Sequence, residues 1–139
     1  MSTLERAIAL AATAHAGQTD KAGAPYILHA LRVMLRCETN EERMAAVMHD
    51  MVEDCGWTLD QLRAEGFPEP VVEAVDAVTR RDGETYEDFV LRAKLHPIGR
   101  RVKLADLADN SDLSRLPEVT PRDQARLEKY RRAMDALSS

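Results

Sequence analysis

The sequence predicts an all-α fold, a compact single-domain bundle of seven or eight helices, on three observations. Aromatic residues make up only 4% of the 139-residue chain, so the core rests on Leu, Val, Ala, Met and Ile, whereas strands draw on aromatic and β-branched residues. Apolar residues recur at helical spacing, and no segment alternates with period two over a strand length. Ser or Thr followed three residues later by Glu, Gln or Asp recurs ahead of those apolar runs, a helix-start signature.

Each element has its own start and stop. Ser2 with Glu5 reads as a capping box, and Leu4, Ile8, Ala11, Ala12 and His15 follow until Gly17. The polar stretch from Gly17 to Pro25 reads as a loop. Pro25 suits a first helical turn, where its missing donor does no harm, and Ile27, Leu28, Leu31, Val33, Met34 and Leu35 carry that helix to about Cys37. Thr39 with Glu42 opens a third helix through Met44, Val47, Met48, Met51 and Val52 to Gly56, which places His49 and Asp50 inside it. Thr58 with Gln61 caps a short helix ending at Gly66. Pro68 and Pro70 open the next, with Val71, Val72, Val75 and Val78 on its apolar side. Arg80 to Glu84 is a charged turn, and Thr85 with Asp88 starts a helix reaching about Leu95. Pro97 restarts the chain into Val102, Leu104, Ala105, Leu107 and Ala108, and Thr120-Pro121 opens a last helix with Leu127, Tyr130, Met134 and Leu137. Without repeats or linkers, residues 1–139 read as one domain, long enough to bury roughly two-thirds of its unfolded surface.

Composition excludes several classes. No run of about 18 apolar residues exists to span a membrane. The first residues lack a basic segment followed by an apolar stretch, so no secretory signal is visible. Cys37 and Cys55 make neither a disulfide framework nor a Cys-x-x-Cys zinc motif, which points to reduced thiols and a cytoplasmic protein. A net charge of −5 argues against binding a nucleic-acid polymer, yet leaves room for a small anion on a local basic cluster. The oligomeric state stays open.

The chemistry concentrates in Met48-His49-Asp50-Met51-Val52-Glu53-Asp54. In a helix, Glu53 falls one turn after His49 and Asp54 one turn after Asp50. Three carboxylates and an imidazole are costly to bring together near a core, because like charges repel and burial disfavours ionisation, and a divalent cation removes that cost. Acidic patches on helices are more often a solvated face, so two further positions matter. His29 follows Pro25-Tyr26-Ile27-Leu28, and Asp106 lies in the mostly apolar Val102–Ala108 segment, with Asn110 one turn on. His29, His49, Asp50 and Asp106 together offer two imidazoles and two carboxylates. That set suits Mn²⁺, with Zn²⁺ or Fe²⁺ as alternatives, because four protein ligands leave room for water and substrate only at a five- or six-coordinate ion.

This order of motifs resembles the HD superfamily of metal-dependent phosphohydrolases. It is most similar to the (p)ppGpp hydrolase domain of Rel/Spo-type proteins and the small alarmone hydrolases. The resemblance covers nearly the whole chain, in His15-Ala16-Gly17-Gln18, Gly23 to His29, His49 to Asp54, and Val102 to Asp106 with Asn110. It implies metal ligation by His29, His49, Asp50 and Asp106, water activation by Glu53 and Asp54, and a nucleotide contact from Asn110. It implies hydrolysis of a nucleotide 3′-diphosphate with release of pyrophosphate and, because the chain ends at Ser139, a hydrolase without a synthetase. Physically, a bound ion can lower the pKa of a water and polarise a phosphoryl oxygen, while a carboxylate takes the proton. Glu53 is the first choice for that base and Asp54 stands beside it. Fixed positive charge for the phosphates could come from Arg80-Arg81 or from Arg100-Arg101-Lys103, with Lys103 favoured because it is one turn from Asp106.

One departure bears on the base. Where the family carries an Arg-Arg-Lys-like run that packs on guanine, this chain reads Gln18-Thr19-Asp20-Lys21, which keeps Lys21 and lacks the stacking arginine. An adenine alarmone, (p)ppApp, therefore stands beside (p)ppGpp. Hydrolysis of another nucleotide or phosphomonoester, and a non-catalytic alarmone-binding module, are the alternatives. Glu53 and Asp54 weigh against the module, which would have no use for a water-activating carboxylate.

Overall fold

The computed structural model describes residues 2–139, and among them every regular element is helical. The order is α1 (Leu4–Ala14), α2 (Ile27–Leu35), α3 (Asn40–Val47), α4 (Met51–Asp54), α5 (Leu59–Ala64), α6 (Glu69–Ala77), α7 (Tyr86–Lys94), α8 (Pro97–Asn110) and α9 (Pro121–Ser138). The all-α bundle of eight helices forms as expected, and the count of nine segments arises because the helix expected from Thr39 to Gly56 is broken into α3 and α4.

The break has a local cause. The Nδ1–H of His49 meets the Ala46 carbonyl at 2.6 Å, and the His49 backbone N–H donates to that same carbonyl at 3.3 Å. The ladder thereby slips from i−4 to i−3, and residues 48–50 form a turn that lifts His49 and Asp50 out of the helical register. A second correction concerns the N-terminus. Thr3, not Ser2, caps α1 by accepting from the Arg6 N–H at 3.1 Å, while the Ser2 hydroxyl donates to the Glu65 carbonyl. The capping boxes at Thr39–Glu42 and Thr58–Gln61 form as expected, and Thr85 and Thr120 cap α7 and α9. Gly17 and Gly56 stand at φ 85° and 74°, in the left-handed region where a side chain is strained.

Two apolar clusters share α8. The larger joins α1 to α6 through Ala11, Val33, Val47, Met48, Met51, Leu62 and Val75, and takes Val102 and Ala105 from α8. The smaller packs Val90 and Ala93 of α7 with Ala133 and Leu137 of α9 onto Leu107. At 100° per residue, Asp106, Asn110 and Lys103 fall on the strip of α8 between Val102 and Leu107. Polar groups are thus carried into the seam between the two clusters.

Gly99 sets how closely α8 approaches α6. A Cβ there would lie 2.9 Å from the Ala77 Cβ and 3.3 Å from the His96 Cβ. Gly99→Ala is therefore expected to lose about 1 kcal/mol net in denaturant melts, overpacking outweighing the gain in helix propensity. A stabilised variant would show that the two helices separate freely.

Candidate metal centre

Three elements converge on one buried point. α2 delivers His29, the α3–α4 turn delivers His49 and Asp50, and α8 delivers Asp106, all nine-tenths buried or more. His29 Nε2 lies 3.0 Å from Asp106 Oδ1, His49 Nε2 lies 3.3 Å from the same oxygen, and His49 Nε2 lies 3.0 Å from Asp50 Oδ2. Donor atoms of His29, His49 and Asp50 all stand within 4.8 Å of one another. The four residues predicted as a set are brought together.

The ring nitrogens show what the cluster is suited to hold. His49 Nδ1 is committed to the Ala46 carbonyl and His29 Nδ1 to Asp109 Oδ2, at 2.6 Å each. Both rings are therefore oriented with Nε2 inward, towards carboxylate oxygens. His49 Nε2 is fully buried without a hydrogen bond, since neither nearby carboxylate meets it in the right direction. A ring nitrogen facing carboxylates this closely calls for a proton on it or a cation between them. Two imidazoles and two carboxylates with inward donors fit a divalent ion. Burial works to lower the His49 pKa, but Asp50 and Asp106 more than offset it and hold the ring well above its ordinary value. Burial also opposes ionisation of Asp106, and Lys103 and His49 prevail to keep it well below the usual carboxylate range.

Glu53 and Asp54 stand beside this point on α4, each with a carboxylate oxygen within 4.8 Å of Asp50 and of the other. Burial pushes the pKa of both upward; Asp50 adds to this in each, while the Arg80 backbone N–H works the other way on Glu53. That N–H donates to Glu53 Oε1 at 3.0 Å, so Glu53 also ties down the α6–α7 loop.

Beside His29 opens a cavity of about 300 Å³ walled by Lys21, Tyr26, Arg32, Asn110, Arg115, Arg126 and Tyr130, among others. Of the expected phosphate contacts, Lys21 and Asn110 lie on this wall. The Asn110 amide donates to Asp106 Oδ1 at 3.1 Å. Lys103 lies inside: its ammonium is 3.2 Å from Asp106 Oδ2 and 4.7 Å from the centre of the Phe89 ring. The Arg80 guanidinium donates to the Glu84 carbonyl.

Residues 7–138 match the HD domain family. The chain belongs to that family. The HD domain is 32% identical to a protein of Mycobacterium leprae named "Probable GTP pyrophosphokinase", over 99% of this chain and 19% of that protein. It is also 32% identical to a guanosine-3′,5′-bis(diphosphate) 3′-pyrophosphohydrolase of Aquifex aeolicus, over 77% of this chain and 17% of the other. The chain thus spans less than a fifth of the length of these curated relatives. A solved structure described as a metazoan ortholog of SpoT that hydrolyzes ppGpp and plays a role in starvation responses superposes with a TM-score of 0.81. That pair shares 22% identity over 99% of this chain and 86% of that one, a likeness of fold.

The HD domain also uses residues that the sequence left without a role. The Tyr26 hydroxyl donates to Asp50 Oδ2, and burial together with Asp50 pushes its pKa far up, so it remains a donor. Asp109 takes the outer nitrogen of His29 and a two-pronged contact from Arg32. One signal for Asp109 was available: it is a second aspartate one turn after Asp106 in an otherwise apolar stretch. His15, read as structural, is buried outside the cluster with Nδ1 2.8 Å from Gln18 Oε1. Among the described residues, no helix is long and apolar enough to cross a membrane.

Proposed function

We propose that residues 1–139 form a single HD-type hydrolase domain that removes the 3′-diphosphate from an alarmone nucleotide, (p)ppGpp or (p)ppApp, and releases pyrophosphate. The observation that carries this reading is the inward pair of Nε2 atoms facing Asp50 and Asp106, next to two further carboxylates and a cavity lined by Lys21, Arg32, Arg115 and Arg126 together with Asp20, Asp112 and Asp123. The names of the relatives support the same reaction.

His29, His49, Asp50 and Asp106 hold the ion. Mn²⁺ suits the mixed nitrogen and oxygen set, because it keeps positions open beyond four protein ligands. When bound, a divalent cation polarises a phosphoryl oxygen and lowers the pKa of the attacking water. Glu53, with Asp54 beside it, accepts the proton of that water. Tyr26 holds the Asp50 carboxylate in place. Lys21 and Asn110 on the cavity wall, with Arg80 at the loop beside Glu53, receive the phosphates and sugar, and Lys103 neutralises Asp106 from the inside. Water is consumed, pyrophosphate leaves, and the ribose 3′ oxygen takes up a proton. Reduced Cys37 and Cys55 support a cytoplasmic setting.

A second reading keeps the centre and changes the substrate to another nucleotide or phosphomonoester. The Thr19–Ala22 loop favours it: the loop lines the cavity, lacks an arginine, and its Asp20 carboxylate is spent on the N–H groups of Ala22 and Ala24. The test is a substrate panel on chelator-stripped protein, with and without added Mn²⁺. Mn²⁺-dependent pyrophosphate release from a guanosine or adenosine 3′-diphosphate nucleotide is expected. Release of phosphate from other esters alone would favour the second reading, and tight nucleotide binding without turnover would favour a binding module.

A further inference from the structure

We infer that Asp109 is a positioning residue that fixes His29 as a metal ligand, by holding the outer ring nitrogen on a carboxylate that Arg32 clamps. The inference rests on the metal reading above.

Asp106 and Asp109 lie one turn apart on α8 and take opposite sides of the same imidazole. Asp106 Oδ1 is 3.0 Å from Nε2, and Asp109 Oδ2 is 2.6 Å from Nδ1. Asp109 is 1% exposed, so water does not compete for its oxygens. Arg32 Nε donates to Oδ1 at 2.8 Å and its Nη2 to Oδ2 at 3.2 Å, a two-point contact that fixes the plane of the carboxylate. Arg115 Nη2 approaches Oδ2 at 3.5 Å.

The chemical consequence is directional. With a cation in the cluster, the carboxylate at Nδ1 keeps the ring proton there, and the lone pair on Nε2 points inward. The negative charge behind the ring makes Nε2 a stronger donor. Two guanidiniums on the same carboxylate keep it an acceptor, so it holds the proton of His29 without taking it. Without Asp109, the ring is free to carry its proton on Nε2, where it would exclude a metal. Arg32 and Arg115 also line the cavity, so one carboxylate stands between the centre and two of the cavity's arginines.

The test titrates the chelator-stripped full chain with Mn²⁺ and reads free Mn²⁺ by electron paramagnetic resonance. D109N is expected to weaken Mn²⁺ binding by about 10–100-fold, with turnover restored at saturating Mn²⁺, a rescue that general misfolding would not show. A folded D109N that binds Mn²⁺ like the wild type would overturn the inference. If D109N does not fold, nitrogen-15 NMR of the wild-type histidines with diamagnetic Zn²⁺ bound decides. His29, one of four histidines, is expected to carry its proton on Nδ1, and a proton on Nε2 would overturn the inference. Failure of the wild-type protein to bind any Mn²⁺ is a separate result: it overturns the metal reading itself, and the inference with it.

Discussion

Asp106→Ala is expected to abolish turnover and to cost the metal-free fold about 3–5 kcal/mol, the usual consequence of removing one partner of a buried ion pair. Asp106 is the hub of the site. Its two oxygens meet His29 Nε2, His49 Nε2, the Asn110 amide and the Lys103 ammonium, all within 3.3 Å. Lys103 is 9% exposed, and burial alone would lower its pKa; Asp106, its largest offset, holds the ammonium charged. Removing the carboxylate strands that charge among Phe89, Tyr86 and the smaller apolar cluster. Denaturant melts, metal content and pyrophosphate release measure the two losses separately. The double variant Lys103→Met with Asp106→Ala distinguishes them: it removes both members of the pair, so most of the stability should return while turnover does not. A double variant as unstable as the single one would show that Asp106 supports the fold by some route other than Lys103.

The parts of this architecture that were legible in the sequence are those decided within a few residues. Thr39 with Glu42 and Thr58 with Gln61 close their boxes because both partners lie in one turn. Ser2 and Thr3 compete for the same role, and the outcome depends on a carbonyl 63 residues away that only the folded chain brings near Ser2. The α3–α4 break was hidden for a related reason. Apolar spacing runs through Met48 and Met51 without a flaw, while the event that breaks the helix is the His49 ring taking the Ala46 carbonyl. The clustering of His29, His49, Asp50 and Asp106 was legible because histidine and aspartate are conspicuous among apolar neighbours. Its support was not, since nothing local places Arg32 against a carboxylate 77 residues later. Lys103 shows the same limit: its spacing to Asp106 is visible in the sequence, but its burial against Phe89 is a tertiary fact.

Glu53→Gln is expected to leave Mn²⁺ binding intact and to lower kcat by about 10²–10⁴, the loss typical of removing a general base. The substitution is clean because Glu53 does two things. Its Oε1 accepts the Arg80 N–H and anchors the α6–α7 loop, and its carboxylate faces Asp50 and Asp54. Glutamine keeps an oxygen for the Arg80 N–H and loses only the capacity to take a proton, whereas alanine would also release the loop. Burial and the neighbouring Asp50 raise the pKa of Glu53 and of Asp54 alike, which makes either a stronger base than a free carboxylate. Among the described residues no backbone N–H donates to the Asp54 carboxylate, so Asp54→Asn reads the proton-accepting role without a structural companion. A large loss in Glu53→Gln with a small one in Asp54→Asn assigns the base to Glu53. Full activity in Glu53→Gln would leave Glu53 as the tether of residues 80–84 and pass the base to Asp54. Comparable losses in both, with a double variant no worse than either, would mean that the two carboxylates handle one proton between them.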